Sequence, residues 1–339
     1  MSWEKVEIFN AEGDKVLAQA PIIVSASRST DIPAFYADWF IERWKAGYAK
    51  WRNPFNGTPL YVSFKNTKVV VFWTKNPKPI IKHLDFLDEN VKNYYFQFTL
   101  NDYEDEGFES KIPSLENRIS TFKELSNRIG KDRVIWRFDP LILTKDINVK
   151  ELLKKIENIG NELYQYTSKL VFSFADISIY KKVESNLNRE NINYIEFSPN
   201  MMIELADGLA QLNRYWRFDL ATCAEKIDLT KYGINHNKCI DDDLMIKLFQ
   251  QDIELMKFLG VKFHNITLFD DVKENTKSRN LKDKGQRELC GCIMSKDIGQ
   301  YNTCPHECVY CYANTSKDIA IANYKAYKEN PATDTITGK

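Results

Sequence analysis

Short apolar runs recur along this chain, separated by stretches of helical period. The runs cover residues 22–27, 69–74, 94–99, 133–138, 170–174 and 217–222. Each is dense in β-branched and aromatic residues without polar alternation, the pattern of strands buried on both faces. Between them, residues 35–44, 115–129 and 149–166 space apolar side chains three and four apart, which predicts amphipathic helices. Ahead of this series, residues 5–9 and 15–18 flank the turn Glu12-Gly13-Asp14 and predict a hairpin.

Alternation of strand and helix implies a parallel sheet with helical crossovers. Six or more such units point to the α/β class. The expectation is a complete or partial (β/α) TIM-type barrel rather than a doubly wound sheet. The expected organisation is a hairpin over 1–20 and one barrel domain over 21–330. A cysteine-rich segment, 285–315, lies inside the barrel domain, and a disordered tail occupies 331–339.

Polar residues follow each apolar run at once, as in Ser27-Arg28, Thr74-Lys75 and Arg137-Phe138-Asp139. In a barrel, the C-terminal strand ends form the active face. Asp, Asn and Ser at such places also serve as turn and helix-cap residues; Lys75 and Arg137 fit that role poorly. The candidate pocket residues are Arg28, Lys75, Gln97, Arg137, Asp139 and Asp176, taken as a group.

Composition narrows the function classes. The 339 residues are 43% hydrophobic and carry 47 basic against 47 acidic side chains. No global field draws the protein to nucleic acid or an anionic membrane, although a local basic groove would escape this count. The first residues hold no apolar signal core, and no apolar run reaches spanning length, so a cytoplasmic protein with no membrane partner is expected. Thiols stay reduced there, so seven cysteines favour metal or redox chemistry over structural disulfides. No phosphate-binding or dinucleotide fingerprint occurs among the 13 glycines. His83, His236 and His264 show no mutual ligand spacing. Asp241-Asp242-Asp243 reads as the acidic start of a helix over 244–259.

The sharpest chemical signal is Cys304-Pro305-His306-Glu307-Cys308-Val309-Tyr310-Cys311, spaced C-x3-C-x2-C. Thiolates are soft ligands suited to iron–sulfur clusters or zinc. Three on a short loop can hold three irons of a cubane and leave the fourth open. That open iron can be chelated by the amino and carboxylate groups of an amino-acid-like cofactor, whose carbon–sulfur bond one electron then cleaves. The rival is a structural zinc site with His306 as fourth ligand.

The loop resembles the signature of the radical S-adenosylmethionine superfamily, with Tyr310 at its usual aromatic position; Cys308-Val309-Tyr310-Cys311-Tyr312 is most similar to the spore photoproduct lyase branch. Nearly the whole chain also resembles an uncharacterised bacterial domain family with a cysteine-rich C-terminus, through Ser27-Arg28-Ser29-Thr30-Asp31, Trp73-Thr74-Lys75-Asn76-Pro77 and Cys290-Gly291-Cys292. The first resemblance implies a 4Fe–4S cluster on Cys304, Cys308 and Cys311, bound S-adenosylmethionine, and a 5′-deoxyadenosyl radical for hydrogen abstraction. It also implies an external electron donor such as flavodoxin or ferredoxin. The substrate stays open: a small molecule, a peptide or a nucleic acid.

The superfamily loop ordinarily follows the first barrel strand, whereas this one is C-terminal. Circular permutation accounts for the difference if the strand before Tyr301 lies beside 22–27. Ser25, Ser27 and Arg28 would then meet the cofactor's amino group, with Tyr310 alongside. The remaining Cys223, Cys239, Cys290 and Cys292 equal the number needed for an auxiliary 4Fe–4S cluster, or for zinc. Two rival functions are an iron–sulfur electron-transfer or redox protein and a zinc-stabilised binding protein.

Overall fold

The computed structural model describes residues 3–53, 56–262 and 280–338; His264 lies outside them. In chain order the strands are β1 (Glu4–Phe9), β2 (Lys15–Ala20), β3 (Ile23–Ala26), β4 (Tyr48–Arg52), β5 (Pro59–Ser63), β6 (Val69–Thr74) and β7 (Tyr94–Thr99). After these come β8 (Val134–Leu141), β9 (Leu143–Thr144), β10 (Lys169–Phe174), β11 (Tyr194–Ile195), β12 (Asp219–Thr222), β13 (Ile234–His236) and β14 (Lys296–Asp297).

All six apolar runs became strands of one eight-stranded sheet, ordered β13-β12-β10-β8-β7-β6-β3-β14. Every neighbouring pair in it is parallel. From β3 to β13 the strands lie in chain order. The exception is β14, which comes last in sequence and lies first in space. It pairs with β3 through Lys296–Val24 and Asp297–Ser25, the adjacency that permutation requires. The sheet does not close: no pairing joins β13 to β14 among the described residues.

Alternation along each strand divides the core in two. Val24, Val70, Phe72, Phe96, Trp136 and Phe172 face the crossover helices. Ile23, Val69, Val71, Tyr95, Ile135 and Val171 face the other way, where they meet Met245, Phe249, Leu255 and Met256 together with Cys239, Cys290, Cys292 and Ile293. The C-terminal third of the chain therefore fills the second face with its own apolar residues. This gives the sheet the two buried faces its strands require.

The helices over Leu115–Ile129 and Val149–Leu163 match the periodic segments, capped by Ser114 and Asn148. The helix expected over 244–259 is two, Asp242–Phe249 and Ile253–Leu259, because Asp252 accepts from Leu255 N and starts a new one. The hairpin forms as β1–β2 and continues into a second sheet, ordered β1-β2-β5-β4. The tail, expected to be disordered, is packed instead. Ile336 is buried, Trp39 Nε1 donates to Thr333 O at 3.0 Å, and Lys50 N donates to Asp334 O at 2.8 Å. Its threonines and Asp334 supply turn hydrogen bonds that a count of polar residues does not register.

Candidate functional site

The cysteine loop is held on the sheet by one carboxylate. Asp297 of β14 accepts from Ser25 Oγ (2.8 Å), Ser27 Oγ (2.6 Å), Arg28 N (2.9 Å) and Gly299 N (2.9 Å), with Ser29 Oγ at 3.4 Å. Ser25 and Ser27 thus have their hydroxyls engaged in fastening β14 to β3. At Gly299 a Cβ would sit 1.9 Å from Ser27 Oγ. Gly299→Ala is therefore expected to destabilise by about 1–3 kcal/mol as the serine and strand shift apart, read as a lower thermal midpoint. An unchanged midpoint would show that this contact is not tight in solution.

From Gly299 the chain runs through Gln300, clamped to the Arg52 backbone at 3.1 and 3.0 Å, to Thr303, whose carbonyl accepts from Tyr36 OH at 2.6 Å. The loop then folds on itself. Cys311 N donates to Cys308 O at 3.2 Å, Asn314 Nδ2 to Cys304 O at 2.7 Å, and Val309 N to Phe108 O at 3.0 Å. The three thiols are half-buried and free. Burial pushes all of them above the ordinary thiol range. Thiolates here need a cation to hold them ionised.

Beside the loop, Asp31 accepts from His306 Nε2 (2.8 Å), Lys75 N (2.7 Å) and Ala34 N (3.0 Å). This fixes the residue between the first two cysteines. Lys75 Nζ reaches Glu109 at 2.7 Å and Tyr310 OH at 2.8 Å. Tyr310 also donates to Glu109 and accepts from Asn101 Nδ2 at 3.0 Å, while Arg118 meets Glu109 at 3.3 Å. Burial alone would raise the Glu109 carboxyl, but Lys75 and Arg118 outweigh it and hold it below the usual range.

The other four cysteines meet on the sheet's second face. Cys223 and Cys239 sulfurs are 3.7 Å apart. Cys292 joins them through its sulfur, which accepts from Cys239 N at 3.2 Å, and Cys290 is two residues away. The Cys292 thiol holds Cys290 down to about 7. Arg137 lies against this group: its guanidinium donates to Cys239 Sγ (3.0 Å), Gln97 Oε1 (3.2 Å) and Asp139. Gln97 Nε2 and Tyr95 OH both donate to Cys239 O, at 2.9 and 2.8 Å. Burial would raise Asp139, but Arg137 and Ser173 keep it low.

The family model described as a domain of unknown function, DUF1848, matches residues 23–313. The chain belongs to that family. No curated protein and no solved structure matches it. The DUF1848 span starts at the first residue of β3 and ends two residues past Cys311. It encloses all seven cysteines and leaves the N-terminal hairpin outside.

Within the DUF1848 span, the six candidate pocket residues fall into four places. Gln97, Arg137 and Asp139 form one contiguous set beside the four cysteines, and Lys75 belongs to the Glu109 network. Arg28 and Arg137 lie 5.6 and 5.3 Å from the Trp73 ring centroid, so the indole meets two guanidinium groups. Arg28 reaches Ser295 Oγ at 3.3 Å. Asp176 stands apart, near Glu225, whose carboxyl is pushed up to about 8 by burial and then by Asp176. Asp31, Asn101, Glu109, Trp73 and Asp297 were not foreseen as site residues. Asp297 sits in an Asp-Ile-Gly segment, a local signal of a tight turn, and Asp31 precedes Ile32-Pro33 as a helix cap; Glu109 carries no local signal. Asp241 caps its helix by accepting from Asp243 N and Leu244 N, as its position suggested.

Proposed function

We propose that this chain is a radical S-adenosylmethionine enzyme on an open, circularly permuted (β/α) barrel, with a 4Fe–4S cluster on Cys304, Cys308 and Cys311. One observation carries the reading: the C-x3-C-x2-C loop leaves a strand that is spatially first in a sequentially ordered parallel sheet, beside β3. That is the position the superfamily gives its cluster loop.

The donor set fits such a cluster better than it fits zinc. Among the described residues, no three of the cysteines, and no pair of them with His306, bring ligand atoms within 4.8 Å of one another. A single tetrahedral ion needs its sulfurs close together, whereas a cubane takes each cysteine on a different iron. His306 is oriented by Asp31 as a loop anchor. When bound, cluster and S-adenosylmethionine together supply one-electron cleavage of the cofactor and, through it, hydrogen abstraction from the substrate.

The chain's own residues position and shield. Asp31 and His306 fix the first half of the loop, and the Lys75–Glu109–Tyr310 network fixes the second. Tyr103, edge-on to Tyr310 and Phe138 and tilted against Phe108, keeps water from that side. Arg28, just past β3, and Trp73, near the end of β6, stand where a substrate would be oriented, with the buried Arg137 of β8 against the indole. An external donor such as flavodoxin or ferredoxin, and a reducing cytoplasmic setting, complete the proposal. No helix among the described residues is long and apolar enough to cross a membrane.

The test is anaerobic reconstitution, reduction with dithionite and incubation with S-adenosylmethionine. The expected product is 5′-deoxyadenosine, falling to background in Cys308→Ala. Equal traces from both proteins would leave an iron–sulfur electron-transfer protein. A colourless protein holding zinc and no sulfide would leave a binding protein.

A further inference from the structure

Four cysteines remain outside the loop, and they come from three separate segments. Cys223 follows β12, Cys239 follows β13, and Cys290 and Cys292 lie on the strand-like return that includes the Lys282–Ile293 bridge. Folding brings them together: the Cys223 and Cys239 sulfurs are 3.7 Å apart, Cys292 Sγ accepts from Cys239 N at 3.2 Å, and Cys290 is two residues from Cys292. All four are free thiols, and three of them are fully buried.

The polar surroundings point at the sulfurs. Cys239 N and Ile240 N donate to Cys292 Sγ at 3.2 and 3.4 Å. Asn237 Nδ2 and Arg137 Nη1 donate to Cys239 Sγ at 3.1 and 3.0 Å. Arg287 approaches Cys223 from outside, 3.4 Å from its carbonyl and 4.0 Å from its sulfur. A neutral thiol is a weak acceptor. It would be a poor partner for two buried backbone N–H groups and a buried guanidinium, because each of those loses hydration that only a strong acceptor restores. Anionic sulfur is such an acceptor. The two arginines, with Asp139 the carboxylate paired to Arg137, leave positive charge over for it. Cys239, Cys290 and Cys292 belong to one buried cluster with Ile240, Met245, Ile293, Ile135 and Val171. Buried sulfurs with N–H donors aimed at them are the setting in which iron–sulfur clusters are stabilised and tuned.

We infer that Cys223, Cys239, Cys290 and Cys292 bind a second iron–sulfur cluster through four thiolates, with Arg137 and Arg287 offsetting its charge. Four protein ligands leave no open iron, so this centre differs in kind from the three-cysteine loop. No three of the sulfurs lie within 4.8 Å of one another, so no preformed tetrahedral zinc set exists among the described residues; the 3.7 Å Cys223–Cys239 pair must open for each sulfur to take its own iron. The inference does not depend on cofactor cleavage at the loop.

The decisive protein is the full chain carrying Cys304→Ala, Cys308→Ala and Cys311→Ala, reconstituted anaerobically with ferrous iron and sulfide. It is expected to retain about four irons and four acid-labile sulfides per chain and a brown colour. Adding Cys239→Ser and Cys292→Ser should remove both. The unsubstituted chain, which avoids any failure of the variants to fold, should hold about eight irons. Four or fewer there, with none in the loop variant, would overturn the second cluster, and so would one zinc per chain without sulfide. Absence of 5′-deoxyadenosine from the unsubstituted chain would count against the enzyme reading and leave this iron count untouched.

Discussion

Replacing Glu109 with leucine is expected to remove about 3–5 kcal/mol of folding stability, the scale of breaking a buried ion pair from one side. The Glu109 side chain is 2% exposed, with Arg118 at 3% and Lys75 at 17%. The leucine fills much of the space but leaves two cations without a counter-charge, and it takes the acceptor from Tyr310 and Asn101 as well. Glu109→Gln keeps an acceptor and loses the charge, so it should fall between parent and leucine. The carboxyl titrates below its ordinary 4.5 in the folded protein. Its contribution is therefore complete above that pH and disappears as pH drops through the folded value, so parent and Glu109→Leu should converge in acid. Urea unfolding at neutral pH and again near the acid limit measures both effects. A loss under about 1 kcal/mol at neutral pH would place the trio among weak, solvent-screened pairs.

Asp297→Ala should act more locally and nearly as strongly. The carboxylate serves three buried hydroxyls, one of them at 3.4 Å, and two backbone N–H groups, and each buried donor left without an acceptor costs about 1–3 kcal/mol. With only two residues in β14, its backbone joins β3 through just the Lys296–Val24 and Asp297–Ser25 pairing and the 3.1 Å bond from Ile298 N to Ser25 O. The expected outcome is accelerated amide exchange and proteolysis over residues 294–315, while β6, β7 and β8 stay protected. Asp297→Asn should be intermediate, because a serine hydroxyl can turn to accept from its amide and Arg28 N cannot. Uniform loss of protection across the sheet would mean that β14 is integral to the core rather than fastened to it.

These two carboxylates also mark where sequence reading stopped. The six apolar runs were legible because a strand buried on both faces is written as uninterrupted β-branched and aromatic residues. β14 reads Lys-Asp; its two-residue pairing with β3 is fastened by the Asp297 side chain, and no propensity scale registers that. Glu109 lies in an irregular stretch between β7 and the next helix, where no period exists to single it out. The cysteine loop was visible through fixed offsets. The other four cysteines were visible only as a number, since their meeting depends on three segments arriving at one face of the sheet.

The order of the strands has a consequence for how the protein is made. β3 emerges from the ribosome early, but its neighbour β14 follows some 270 residues later. Throughout that interval β3 is the open margin of a growing parallel sheet, with unpaired backbone groups able to template association with other chains. The last part of the DUF1848 span is thus also a closing seam. Stalled or prematurely terminated chains, which lack β14, should accumulate as aggregates.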